Sequence, residues 1–511
     1  MNAANKVALN TGVLYVRMLI TMGISLYSTR LVLNYLGAHD FGIFNLVAGI
    51  ITVLSFLNGA MPISTQRYLS FHQGGGDFLM QKKVFTNSWI LHIVSGVIFV
   101  ALLEIVCPFL FNGFLNIPTG KIALAKAIYH FMAVSVFFTV IAVPFIAVLN
   151  AHENMLWSAI VSIVESICKL IIALSLSYFL QSERLIFFGL FTAGTSVVCF
   201  LLHSMYCLKQ YGECSIKEYQ IDKPLLKELA IFSAWTMTGT LAWTGRVEGL
   251  GIILNIFFGT LMNAAYGIAQ QVLGMLSFFS ATLLRALDPQ IMRSEGMNDR
   301  PRMLRLSMME CKFCFFLIAF IAIPFIFEMP AILKFWLKNV PDQAVIFCQL
   351  ILISAMSNQL TVGVKTAIQS TGRIRLYQLL DATAIFLSIP SAYFLLRLEF
   401  PTYWVFLVIV CTDVLAGFFR LVVLRKLTEF SIQDFCKRVL FKEIIPVAVS
   451  VIVCFFITNS FSFGYRWIAT TIISILMFII AIYLMGLCAD EKFLIHNVKK
   501  RLERSVCKLL S

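Results

Sequence analysis

The chain of 511 residues is 59% hydrophobic and 14% aromatic, with 47 Phe and only 13% charged residues, where a soluble domain carries about 25% charged. A mean hydropathy of +0.87 sustained over the whole length excludes a soluble enzyme, a disordered chain and a nucleic-acid-binding domain. The formal charge of +14 is thus no footprint for DNA, because in so apolar a chain Lys and Arg mark the cytoplasmic loops of an integral membrane protein.

Windows of roughly 20 apolar residues, the length that crosses a bilayer, recur from end to end. They predict an all-α polytopic membrane protein with about fourteen spans: 11–36, 41–66, 84–110, 122–149, 155–180, 185–208, 229–257, 262–287, 309–337, 343–370, 374–397, 402–424, 440–459 and 464–487. The first follows the polar segment Met1–Asn10 and is too long for a signal-peptide core, so it is expected to remain as an anchor. With the N-terminus inside, the inner segments hold 28 of the 40 Lys and Arg and the outer segments 7. That excess places both termini in the cytoplasm and requires an even number of spans.

The outer loops are short, the longest lying around Phe111–Lys121, whereas membrane glycosyltransferases and sugar polymerases generally need a large acid-, His- or Arg-bearing outer loop. The inner loops at 209–227, 288–307 and 425–443 contain no Gly-rich phosphate loop and no room for a nucleotide-binding domain. Gln73–Asp77, with its three glycines, reads as a turn. Thirteen Cys fall singly in apolar runs and read as small buried hydrophobes, and seven His form no ligand pattern, so neither cofactor nor metal is expected.

Two stretches resemble each other. Leu31–Gly37 leads through a short loop to Leu54-Ser55-Phe56, and Ile252–Phe258 leads to Leu276-Ser277-Phe278, which aligns Asn34 with Asn255. Both begin on the cytoplasmic side, so the repeat is parallel. It predicts two six-helix lobes related by a pseudo-two-fold along the membrane normal, followed by two further helices. The expected divisions are 1–208 (first lobe), 209–228 (cytoplasmic linker), 229–426 (second lobe), 427–487 (last two helices) and 488–511. The last is a basic amphipathic tail suited to anionic lipid.

Polar side chains in hydrocarbon are costly unless they face protein or water, so polar stripes at helical spacing locate the interior. One stripe carries Asn10, Arg17, Thr21, Ser25 and Ser28; others carry Ser158, Ser162, Glu165 and Lys169, or Thr236, Thr240, Thr244, Glu248, Gly251 and Asn255. A fourth carries Ser354, Asn358, Thr361, Lys365 and Gln369. Helix packing and a hydrated cavity both account for such stripes, and those bearing Arg, Lys or Asn near mid-depth favour the cavity. Lys169 is one turn after Glu165, a spacing that lets them pair. Lys365 and Asp381 match in depth across the Thr371-Gly372-Arg373 turn, so a bridge is expected between them. Arg30 either snorkels outward or bonds Asp40. Asp413 has no partner on its own helix and needs one elsewhere or a proton.

The run Thr29-Arg30-Leu31-Val32-Leu33-Asn34-Tyr35-Leu36-Gly37-Ala38-His39-Asp40-Phe41-Gly42 resembles the opening motif of Wzx-type O-antigen and polysaccharide flippases. These belong to the multidrug/oligosaccharidyl-lipid/polysaccharide (MOP) exporter superfamily. The resemblance implies alternating-access transfer of an undecaprenyl-diphosphate-linked oligosaccharide across the bacterial cytoplasmic membrane, for lipopolysaccharide or other surface glycans, by a monomer that works beside polysaccharide assembly proteins. It implies a basic lumen, with Arg17, Lys169, Arg246 and Lys365 as substrate-facing charges and Asn255 and Asn358 beside them. Arg30, Gly37, Asp40 and Gly42 are the motif residues. With no nucleotide site, the energy comes from a Na⁺ or H⁺ gradient or from consumption of product outside, and Glu165, Glu248, Asp381 and Asp413 are the candidate coupling acids. The alternatives are a cation-coupled drug exporter of the same superfamily and a membrane glycosyl- or acyltransferase.

Overall fold

The computed structural model describes residues 3–54, 56–111, 119–181, 183–215, 221–337, 340–461 and 464–492. Among these the fold is helical throughout. In chain order the helices are α1 (Ala3–Leu54), α2 (Phe56–Gly74), α3 (Phe78–Phe109), α4 (Ile122–Ala151), α5 (Met155–Ser175), α6 (Arg184–Gln210) and α7 (Lys223–Gly296). There follow α8 (Arg300–Leu337), α9 (Ala344–Gln359), α10 (Val362–Thr371), α11 (Arg375–Arg397), α12 (Trp404–Leu427), the single turn α13 (Ile432–Phe435), α14 (Phe441–Ser460) and α15 (Arg466–Ala481). Among the described residues eleven helices are long and apolar enough to cross a membrane, or twelve if the bent pair α9 and α10 is one span.

Three differences from the sequence expectation have simple physical causes. The windows 11–36 and 41–66 fall on α1 and α2, and α1 runs 52 residues without interruption, about 78 Å at 1.5 Å per residue. The windows 229–257 and 262–287 likewise lie on one continuous helix of 74 residues. The gaps between these windows, 37–40 and 258–261, contain Gly37 and Gly259, and a glycine in a helix interior costs only about 1 kcal/mol. Neither expected loop contains proline. Conversely, the single window 343–370 is divided into α9 and α10, bent by 40°.

Helix boundaries follow local chemistry. Asp77 accepts a hydrogen bond from the Met80 amide at 3.0 Å and caps α3, and Asn154 does the same for the Trp157 amide of α5 at 3.2 Å. These side chains satisfy amides that a helix start otherwise leaves bare. The glycine run Gln73–Asp77 is the tight turn between α2 and α3. Gly76 there has φ +72°, a left-handed conformation that glycine adopts without steric cost.

The chain divides into two compact units, Leu9–Met237 and Thr238–Ser511 together with Met1–Ala8. The division falls inside α7, so the start of α7 packs in the first unit: Ser64 donates to the Leu229 carbonyl at 3.3 Å and the Tyr68 hydroxyl to Glu228 at 2.7 Å. The core of this unit gathers α1, α3, α4, α5 and α6 around Val47, Leu103, Ile128, Tyr129 and Ala173. In the second unit the rest of α7 packs with α8, α9, α11 and α12 around Leu254, Ala322, Phe347 and Phe406. A separate cluster holds α14 and α15 against α8 through Phe316, Cys454 and Phe478. The twelve cysteines among the described residues are free thiols. Of the expected tail 488–511, only residues up to 492 lie among the described ones.

Candidate functional site

In the first unit, α1 and α5 bring two of the expected bases onto one polar face. An Arg17 guanidinium nitrogen donates to Ser162 Oγ at 3.4 Å. One turn further along α5, Lys169 and Glu165 form the expected i,i+4 pair at 2.6 Å, with side chains 52% and 42% exposed. The helix presents Ser158, Ser162, Glu165, Ser166 and Lys169 at spacings of three to four residues, so the α5 face is polar over three turns. Ser162 and Ser166 return their own hydrogens to carbonyls one turn back. The donors left facing outward are therefore the charged groups.

Of the motif residues, Gly37, Asp40 and Gly42 lie within α1. Asp40 is buried and pairs with Lys121 at 3.0 Å, and Arg184 donates to the Tyr35 carbonyl at 2.9 Å. These contacts tie the motif to the start of α4 and to α6. The Arg30 side chain lies outside the described residues, as does that of Asn255.

The second unit holds a buried charge network organised by α12. Asp413 and Arg420 are seven residues apart and therefore share a helix face. Asp413 receives Arg246 of α7 at 2.6 Å and Ser354 of α9 at 2.5 Å, which supplies the partner its own helix lacks. Arg246 is 3% exposed and its guanidinium lies 4.4 Å from the Trp243 ring centroid, so one face is covered by the ring while its edge is held by Asp413. Arg420 donates to Asp381 of α11 at 2.7 Å, to Asn358 at 3.0 Å and to Thr361 at 3.1 Å. The last two residues flank the bend between α9 and α10. The planar guanidinium thus binds side chains on either side of that bend.

The expected Lys365–Asp381 bridge is not formed, because Asp381 belongs to Arg420. Lys365 instead lies in a field set by Arg420, Asp381 and Asp288. Glu248 is exposed on α7. Arg420 falls in the expected span 402–424 but was not singled out as a site residue, and Asp288, Glu310 and Glu328 were passed over. The seven-residue spacing from Asp413 to Arg420 was the available signal for the first of these. Glu328 of α8 is 1% exposed and binds Arg466 at 2.9 Å and Thr470 at 2.8 Å, a cross-link to α15 that no local pattern announces.

Residues 14–175 match the MatE family model. No curated protein sequence matches the chain. Solved structures do. A MATE transporter crystallised as a proline-to-alanine mutant superposes with a TM-score of 0.73 at 12% identity, covering 86% of this chain and 99% of that one.

The fold is that of a MATE transporter.

A second MATE transporter, VcmN from Vibrio cholerae in an aspartate-to-asparagine mutant, gives a TM-score of 0.67 at 16% identity, covering 83% of this chain and 96% of that one. A MOP superfamily transporter from Pyrococcus furiosus gives 0.65 at 12% identity, covering 83% and 98%. That protein is described as having a binding pocket of reversed polarity, which suggests a different function. At these identities the likeness is one of fold. It accounts for the all-helical architecture and leaves the substrate to the side chains.

Proposed function

We propose that this chain is a flippase. It moves an undecaprenyl-diphosphate-linked oligosaccharide across the bacterial cytoplasmic membrane by alternating access, with both termini inside. The observation that carries the reading is the half-exposed face of α1 and α5, where Arg17 and the Lys169–Glu165 pair stand among serine hydroxyls with one positive charge in excess. Arg and Lys are the side chains that hold a diphosphate, and hydroxyls hydrogen-bond sugars. The physical task is to lower the desolvation cost of a dianion and its many hydroxyls while the lipid tail stays in hydrocarbon. Three of the four intramembrane acids expected to couple to a cation are tied to bases: Glu165 to Lys169, Asp381 to Arg420 and Asp413 to Arg246. An interior of this kind has little to offer an organic cation. The Pyrococcus furiosus transporter described with reversed pocket polarity supports the idea that one fold serves pockets of opposite sign.

The test is complementation of a deletion strain. Arg17→Ala and Lys169→Ala together remove two charged hydrogen-bond donors, each worth about 1.5–3 kcal/mol. Surface glycan is expected to fall by roughly 100-fold or more with the protein still in the membrane. Wild-type glycan in the double variant overturns the assignment. The second reading, export of cationic drugs, has one observation in its favour: Glu248 is exposed on α7. It predicts drug sensitivity in the deletion strain that Glu248→Gln fails to rescue, with surface glycan intact throughout.

A further inference from the structure

The second unit contains a charge imbalance that its ion pairs do not cancel. Among the described residues of α7 to α12, four carboxyls (Asp288, Glu310, Asp381 and Asp413) and three bases (Arg246, Lys365 and Arg420) form a chain of neighbours: Glu310 beside Asp288, Asp288 beside Lys365, Lys365 beside Asp381 and Arg420, and Asp413 beside Arg420 and Arg246. Asp413 is matched by Arg246 and Asp381 by Arg420. Lys365 remains, and it neighbours Asp288 but is not among the groups around Glu310. One carboxyl therefore has no base.

Geometry identifies which. Glu310 of α8 is 0% exposed; its carboxyl oxygens have no base to pair with, and the group beside it is the carboxyl of Asp288. Asp288 of α7 accepts from the Thr366 hydroxyl of α10 at 2.9 Å and interacts with Lys365, the next residue on α10. Asp288 lies eight residues before the end of α7, and Glu310 lies ten residues into α8. The turn Met297–Asp299 therefore sets them at matching depth, about 12–15 Å from the hairpin. The backbone of α10 closes the site, since a Cβ built on Gly363 would lie 3.0 Å from Glu310 Oε2. The other groups in its surroundings supply no base, and one of them, Glu443, is a second buried carboxyl whose oxygens lack a partner. Cys311 and Cys314 are thiols on α8 itself, and Glu443 approaches from α14 on the Cys311 side. Lys312 is turned to Glu491 at 2.5 Å, and Arg285, one turn before Asp288, is exposed.

A bare carboxylate buried in this way is far costlier than a neutral acid, and two adjacent carboxyls do not both ionise readily. We propose that Glu310 and Asp288 form a proton-binding site, with one proton held by Glu310 and shared toward Asp288, while Lys365 balances the remaining charge. No covalent bond changes: the proton enters and leaves as a proton. This site is distinct from the acids already paired with Lys169, Arg246 and Arg420, and it gives the transporter a group that changes charge without breaking an ion pair. The link to export rests on the flippase reading, but the binding of the proton does not.

The test is an infrared pH titration of the full chain reconstituted in lipid, following the protonated-carboxyl band in wild type, Glu310→Gln and Asp288→Asn. The expected result is a titrating component present in wild type and missing from Glu310→Gln. In Asp288→Asn its midpoint moves to lower pH, because the neighbouring negative charge is gone. Glu310→Gln keeps the shape of the side chain, and Asp288→Asn provides a second, independently folding check. A band unchanged in Glu310→Gln, or a midpoint unmoved in Asp288→Asn, overturns the shared site. So does loss of the wild-type component on adding NaCl but not KCl at fixed pH, which assigns the pair to sodium. The titration reads no transport, so its failure is separable from failure of the flippase assignment.

Discussion

At the scale of single residues, the second unit depends on cations that cannot lose their partners. Truncating one member of a buried ion pair leaves the other charged and bare, at a cost of about 3–5 kcal/mol, whereas replacing both with apolar groups is close to neutral. Asp413→Ala is therefore expected to lower the thermal unfolding temperature of the detergent-solubilised protein markedly. The double variant Arg246→Met, Asp413→Leu is expected to recover most of the loss. A single variant as stable as wild type contradicts the description of this pair. Asp413 also shows what a sequence can say at this scale. An acid central in an apolar helix demands a partner, and that much was legible. The partner's identity, 167 residues away along the chain, was not, because the sequence records spacing along one helix and not which face of another helix meets it. The same limit misdirected the Lys365–Asp381 bridge. Matching depth is necessary for a pair, but Arg420 reaches Asp381 first with a planar fork that also serves Asn358 and Thr361.

At the scale of elements, the break between α9 and α10 is the feature that hydropathy hides. The residues Gln359, Leu360 and Thr361 include neither glycine nor proline, and a window average reads straight through them. What bends the helix is tertiary: Arg420 bonds residues on both sides of the break, and α10 is drawn onto α8. That contact is close at Gly363, where an added Cβ would run into the Ser307 carbonyl. Gly363→Ala is expected to cost about 1–3 kcal/mol through overpacking and to loosen α10. Gly96→Ala meets only the edge of the Phe137 ring, 3.1 Å from the new carbon, and is expected to cost less, since a ring turns more readily than a backbone carbonyl. Thermal melts of the two variants compare them directly, and equal melting temperatures contradict the tight α8–α10 contact. The converse error, loops expected within α1 and α7, arose because glycine weakens a helix without ending it.

At the scale of the whole molecule, composition and the distribution of Lys and Arg carried most of the information. They gave a polytopic helical membrane protein, and the fold is that of MATE transporters. The expected internal repeat through Asn34 and Asn255 falls on α1 and α7, and both helices are continuous across the expected loops. The substrate was not legible from the fold, which hosts pockets of differing polarity. It is argued here from the charges on α1 and α5. The most direct test uses the purified full chain in liposomes with a fluorescent undecaprenyl-diphosphate-linked oligosaccharide, measuring the rate at which the sugar moves from one leaflet to the other. The account predicts transfer that requires the protein and that slows by roughly 10-fold or more when Lys169 is replaced by Ala, the loss of one charge-assisted contact. Transfer no faster than in protein-free liposomes, in the presence of a proton or sodium gradient of either direction, contradicts it.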